Sequence, residues 1–205
     1  MRKRYVVIEG KTPEISVQQA RTLLQSIDLS DPIGLRDRAI LAILAYTSSR
    51  AGAVARLRRG DFSDAGDHQW MLRFVDKGGK SREIPVRHDL QHMIAVYIEG
   101  AGLQKASKET PLFRAAIGKT GRLATNAIHV NDICRMMKRR LKHASLPERL
   151  SPHSFRVAVI TDLLDQGVAL EDVQHLAGQA DPRTTRLYDR RNRKVTRNIV
   201  ERISI

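Results

Sequence analysis

Tyr188 stands in the stretch DPRTTRLYDRR with four arginines around it, close to the C-terminal end of a 205-residue chain. A tyrosine hydroxyl among cations can act as a nucleophile toward phosphorus. The phosphotyrosine ester it would form keeps the energy of the broken bond for rejoining, which is covalent catalysis. A tyrosine taken alone more often packs in a core or stacks on a base, so the choice depends on what else the chain carries. Displacement at a phosphodiester gathers negative charge on the nonbridging oxygens, and fixed cations and hydrogen-bond donors placed there lower the barrier. Without a metal ion that task falls to arginines, whose planar forks match two phosphate oxygens at once.

Three further segments bear on that chemistry. HSFR sets His153 and Arg156 three residues apart on a new helix, so that a donor and a cation share one face near its positive end. A helix start with a capping histidine and a solvated arginine would read the same way. YTSSRAGAVARL puts Arg50 where a long apolar helix gives way to the next, flanked by small residues that let a ligand approach closely. DKGGK puts Lys77 and Lys80 at the tip of a hairpin, from which a lysine can swing into a cleft, although a solvated turn would look alike. The adjoining GGKS is not a P-loop, because that motif needs glycine at position 74, where Phe74 stands.

The elements that must position these residues are mainly helical. Ser16 begins SVQQARTLLQSI, with Gln19 placed for a capping box and Val17, Ala20, Leu24 and Ile27 at helical spacing. In DPIGLRDRAILAILAYTSSR, Leu35, Ala39, Ile40, Ile43 and Leu44 form one stripe. Trp70, Leu72 and Phe74 alternate with polar neighbours, Gly78 and Gly79 supply a turn, and Ile84 and Val86 resume the alternation, so a hairpin is expected. Helices return at DLQHMIAVYIEG and VNDICRMMKRRLKHA, the latter with Val130, Ile133, Met137 and Leu141 on one face. Residues 105–127 between them carry little pattern and are expected to be an exposed connection. Ser151 and Pro152 open a helix that closes at Gly167, and LEDVQHLAG forms another. The fold class is therefore mainly α with a small antiparallel β-sheet, in one domain spanning 1–205.

Composition narrows the partners. Thirty-six Lys and Arg against 22 Asp and Glu give a formal charge of +14, clustered at Arg56–Arg59, Lys138–Lys142 and Arg183–Arg197, which points to nucleic acid. The single cysteine, Cys134, excludes an internal disulfide, fits a reducing compartment and is expected to be buried and inert. The longest apolar run, Ala39 to Tyr46, is too short to span a bilayer, and a cytoplasmic protein without membrane association is expected.

Arg50, Lys77, HSFR and LAGQADPRTTRLYDRR, in this order and at these intervals, closely resemble the catalytic domain of the tyrosine recombinases, the phage-integrase family. The resemblance runs from about Ser16 to the C-terminus. It implies a metal-free strand transferase without a cofactor, which acts on double-stranded DNA through a 3′-phosphotyrosine, usually as a homo-tetramer on two duplexes. By this likeness Arg50 and Arg156 clamp the scissile phosphate, Lys77 is the general acid for the 5′-oxygen, His153 assists as donor or proton acceptor, and Tyr188 is the nucleophile. It also implies that the apolar stripe of Val195, Ile199, Val200 and Ile203 docks on a neighbouring subunit.

Three positions depart from the family pattern. Gln179 stands where His or Trp is usual; its amide can donate a hydrogen bond but cannot carry a proton, and His175, one turn earlier, is read as a packing residue. Ala53 replaces the acidic residue that commonly supports the first arginine. Met1 to Ile15 is too short for the family's N-terminal DNA-clamping domain, so the expectation is a fragment of a longer chain, a minimal lineage, or a clamp supplied by a partner. A weak or inactive DNA-binding relative and a type IB topoisomerase-like enzyme are the alternatives.

Overall fold

A computed structural model describes residues 12–75 and 81–178 of the chain. In order they form α1 (Val17–Gln25), α2 (Pro32–Thr47), α3 (Ala51–Ala55), β1 (Phe62–Asp64), β2 (Trp70–Val75), β3 (Ser81–Pro85), α4 (His88–Gly100), β4 (Arg114–Ala116), β5 (Leu123–Ala127), α5 (Val130–His143), α6 (Pro152–Asp165) and α7 (Leu170–Ala177). Helix α1 starts with the expected capping box: Gln19 N donates to Ser16 Oγ at 3.1 Å, and Ser16 N donates to Gln19 Oε1 at 3.0 Å. Helix α2 is capped by Asp31, whose side chain accepts from Gly34 N at 2.7 Å.

More of α2 is buried than a single stripe would require. Every residue from Ala39 to Leu44 is fully buried, because α1, α4, α5 and α6 all pack on this helix. A helix that is apolar on every side is a central one, and it anchors the corner that leads to Arg50.

Strands β1, β2 and β3 form one antiparallel sheet in that order, with Leu72 opposite Ile84 and Phe74 opposite Arg82. The expected alternation holds, since Leu72, Phe74 and Ile84 are buried on one face. Arg82 shares that face and is itself buried, a position where the pattern alone leads one to expect an aliphatic residue.

The expected exposed connection over 105–127 is corrected by the structure. It contains a second antiparallel sheet of β4 and β5, and Leu112 and Phe113 are fully buried. Phe113 stacks on Tyr97 of α4 with ring centroids 5.3 Å apart, and the Tyr97 hydroxyl donates to the Leu112 carbonyl at 2.8 Å. Those contacts lie far apart in sequence, and the strands are too short for their alternation to be read.

Asp37 on α2 is fully buried and gathers three arginines: Arg36 at 2.7 Å, Arg140 at 2.8 Å and Arg139 at 3.3 Å. Arg36 also donates to the Arg114 carbonyl at 2.8 Å, so one carboxylate ties α2 to α5 and β4. Two members of the basic run Lys138–Lys142 thus pair with a buried carboxylate, Arg140 turned inward and Arg139 reaching it from the surface. At the other end, Ile160 and Leu164 of α6 pack on Val173 and Ala177 of α7. Helix α7 stops at Gly178, whose φ of 58° is left-handed, as glycine allows without strain. Among the described residues, no helix is long and apolar enough to cross a membrane.

Candidate active site

The site begins at the corner between α2 and α3. Ser48 caps α2 in a left-handed conformation, and Arg50 caps the N-terminus of α3. Thr47, Ser48 and Ser49 are all buried, with Thr47 Oγ1 2.8 Å from Ser49 Oγ, so the backbone that presents Arg50 is held firmly. The side chain of Arg50 reaches outward and is exposed.

Helix α6 supplies the opposite wall. Pro152 sits at its first position, and Ser151 N donates to Ser154 Oγ at 3.0 Å. His153 lies in the first turn, where the helix field favours an anion. Arg156, one turn on, is 2% exposed, which rules out the solvated arginine that HSFR alone allowed. Its Nη1 donates to the carbonyls of Ser48 and Ala177, each at 2.6 Å. Arg50, His153 and Arg156 line one cavity of about 310 Å³ together with Gly52, Cys134 and Ser151.

The C-terminal end of α7 closes the arrangement. Three successive carbonyls there accept from three arginines: Leu176 from Arg82, Ala177 from Arg156, and Gly178 from Arg50 at 3.2 Å. The last carbonyls of a helix lack intrahelical partners and carry partial negative charge, so cations are favoured at this end.

The electrostatics set the state of His153. Its imidazole is held below the ordinary histidine range, first by burial, then by the positive charges of Arg156 and Arg50. The neutral ring is therefore favoured, a form in which one nitrogen is an acceptor and the other a donor.

Lys77, Gln179 and Tyr188 lie outside the described residues, as does the stripe from Val195 to Ile203. Two expectations change. Cys134 is half-buried and lines the pocket instead of lying buried in the core, because α5 turns that flank toward α6. His175 is exposed on the last turn of α7 and does not pack, since Val173 and Ala177 occupy the buried face. Arg82 and Ser49 went unnoticed in the sequence, although an arginine at an inward position of an alternating strand was a legible signal for the first. Beside the pocket, and sharing Gly52 and Val130 with it, lies a cleft of about 820 Å³ whose walls include Arg56, Arg58, Arg73 and Lys108.

Comparison with known proteins places these features in context. A sequence model described as the phage integrase family matches residues 14–194. The tyrosine recombinase XerD of Listeria monocytogenes serotype 4b (strain F2365) is 28% identical over 183 residues, covering 88% of this chain and 58% of the relative. The XerD of Proteus mirabilis is 30% identical over 183 residues, covering 85% and 54%. The chain thus spans a little over half the length of these curated relatives. In three dimensions it is similar to the XerA recombinase, with a TM-score of 0.68 at 21% identity, covering 92% of this chain and 63% of the other. The site-specific recombinase XerH, bound to its palindromic difH substrate in a post-cleavage complex, gives a TM-score of 0.68 at 20% identity, covering 86% and 49%. At these identities the structural likeness is one of fold.

Proposed function

Because the chain belongs to the phage integrase family, matching it over residues 14–194, we propose that it is a site-specific DNA recombinase working through a 3′-phosphotyrosine. Its substrate is double-stranded DNA, and its working assembly is a homo-tetramer on two duplexes. Arg50 and Arg156 hold the nonbridging oxygens of the scissile phosphate. The Tyr188 hydroxyl oxygen attacks phosphorus and gives its proton to neutral His153. The bond from phosphorus to the 5′-oxygen breaks, and Lys77 protonates that oxygen as it leaves. Rejoining reverses these steps with the 5′-hydroxyl of a partner strand, so no external energy source is needed. Gln179 supplies a further hydrogen bond to the phosphate.

The observation that carries this reading is the meeting of Arg50, His153 and Arg156, from two distant segments, around one pocket beside the end of α7. That helix end lies ten residues before Tyr188 in the chain. Two planar cations and a neutral imidazole at a helix N-terminus form a place built for a charged, oxygen-rich transition state. The basic cleft alongside supplies further cations for the phosphates next to the reacting one.

The test is covalent trapping. Incubation with a nicked duplex that loses its 5′-hydroxyl fragment on cleavage should leave an SDS-resistant protein–DNA adduct. Tyr188→Phe should abolish the adduct and leave DNA affinity nearly unchanged, since only one hydroxyl is removed. Adduct with the Phe variant would assign the nucleophile to another residue. Tight DNA binding by the wild-type chain with no adduct would make it a DNA-binding relative without catalysis.

A further inference from the structure

On the footing that Arg50 clamps the scissile phosphate, we propose that Arg82 is a positioning residue which holds Arg50 in its clamping orientation. Arg82 belongs to β3, outside both segments that carry the pocket's cations, yet its side chain touches the supports of Arg50 on two sides. Its Nη2 donates to Ser49 Oγ at 3.0 Å, immediately before Arg50 in the chain. Its Nη1 donates to the Leu176 carbonyl on the last turn of α7, two residues before the Gly178 carbonyl that receives Arg50 Nη1 at 3.2 Å. The guanidinium lies over the Phe74 ring, 5.0 Å from its centroid, which fixes its plane from below. One rigid fork thus spans the gap between the corner that presents the Arg50 backbone and the helix end that receives its side chain.

Burial makes this costly to maintain and hard to replace. Arg82 is 8% exposed, Ser49 1%, and a charged group is kept at such a place only where its donors are used. An aliphatic residue would satisfy the packing against Phe74, but it would remove the fork that joins Ser49 Oγ to the Leu176 carbonyl and leave Arg156 as the remaining bridge seen between the corner and α7. Lysine would keep the charge, but a single ammonium on a flexible stem does not reproduce a planar fork reaching in two directions. Arg50 itself is exposed, and its hydrogen bond to the end of α7 is one of the contacts that orient it. Arg156, by contrast, is enclosed and bonded to Ser48 and Ala177, and needs no help of this kind.

The experiment compares two substrates in single-turnover cleavage by the full chain. One carries the ordinary phosphodiester at the cleavage site. The other carries a methylphosphonate there, in which a methyl group replaces one charged nonbridging oxygen and the demand for a cation falls. Arg50→Ala should be slow on the first and recover on the second. Arg82→Lys should slow the first by about tenfold to a hundredfold, the range for a small misplacement of a reacting group, and recover on the second as Arg50→Ala does. If Arg82→Lys does not fold, Ser49→Ala, which removes one acceptor of the fork, is read by the same criterion. A variant equally slow on both substrates, or unchanged on the first, would overturn the positioning role. Failure of Arg50→Ala itself to recover would instead overturn the clamp assignment on which that role rests.

Discussion

His153 sits between two guanidinium groups and is partly withdrawn from water, and both conditions penalise its protonated form. Burial is the larger cause, followed by Arg156 and Arg50. The sign follows directly. With the folded-state pKa below the ordinary value of about 6.5, the ring is neutral at pH 7, the state that the proposed mechanism requires of it. As pH falls through about 6.5, the unfolded chain gains a proton before the folded one, so this residue's contribution to stability is complete above that pH and diminishes below it. An NMR titration of the DNA-free protein should place the His153 midpoint below 6.5, and Arg50→Ala should move it upward by removing one positive neighbour. A midpoint above 6.5 would mean that neither burial nor the two arginines penalise the charged ring.

At the scale of elements, α2, α5 and β4 meet at one carboxylate. Asp37 is fully buried with Arg36 beside it at 3% exposure, and Arg139 and Arg140 reach it from α5. Asp37→Asn keeps the shape and removes the charge, leaving Arg36 buried without its counterion. We expect a loss of about 3–5 kcal/mol in urea denaturation, the usual cost of breaking a buried pair from one side. The exposed pair of Asp132 and Arg135 on α5 provides the contrast, since both side chains are open to water and Asp132→Asn should cost about 0–1 kcal/mol. Equal losses for the two variants would show that the Asp37 cluster holds no special place between the helices.

Across the whole molecule the relevant quantity is the field. A formal charge of +14 and a cleft lined by Arg56, Arg58, Arg73 and Lys108 should make DNA affinity depend strongly on salt. Each neutralised phosphate releases condensed counterions, so six contacts would weaken binding roughly a thousandfold between 50 and 200 mM salt. Fluorescence anisotropy across that range measures the slope. A flat affinity would count against the phosphate backbone as partner. Not every cation contributes to that slope: Arg58 pairs with Glu109, and Arg73 with Asp61 at 3.0 Å, so charge-removing substitutions at Arg56 and Lys108 should reduce it more than those at Arg58 or Arg73.

The sequence by itself determined whatever depends on near neighbours. The capping box at Ser16, the helix opening at Ser151 and Pro152, the glycine stop at Gly178 and the alternation of the hairpin are written within a few residues each, because caps, turns and periodicity act over one or two turns of chain. The residue types of the proposed site were legible too, since arginine, histidine and tyrosine stood in a recognisable order along the chain. Tertiary structure alone decided which of them meet. Arg50 and Arg156 are 106 residues apart in the chain and share a pocket only because α2 and α6 pack together. It alone turned Arg82 inward onto Ser49 and Leu176, drew Arg139 and Arg140 out of a basic run onto Asp37, and placed Cys134 on the pocket wall. Local patterns state which face of an element is apolar, whereas the partner of a buried polar group is fixed by whatever the packed core brings within hydrogen-bond reach.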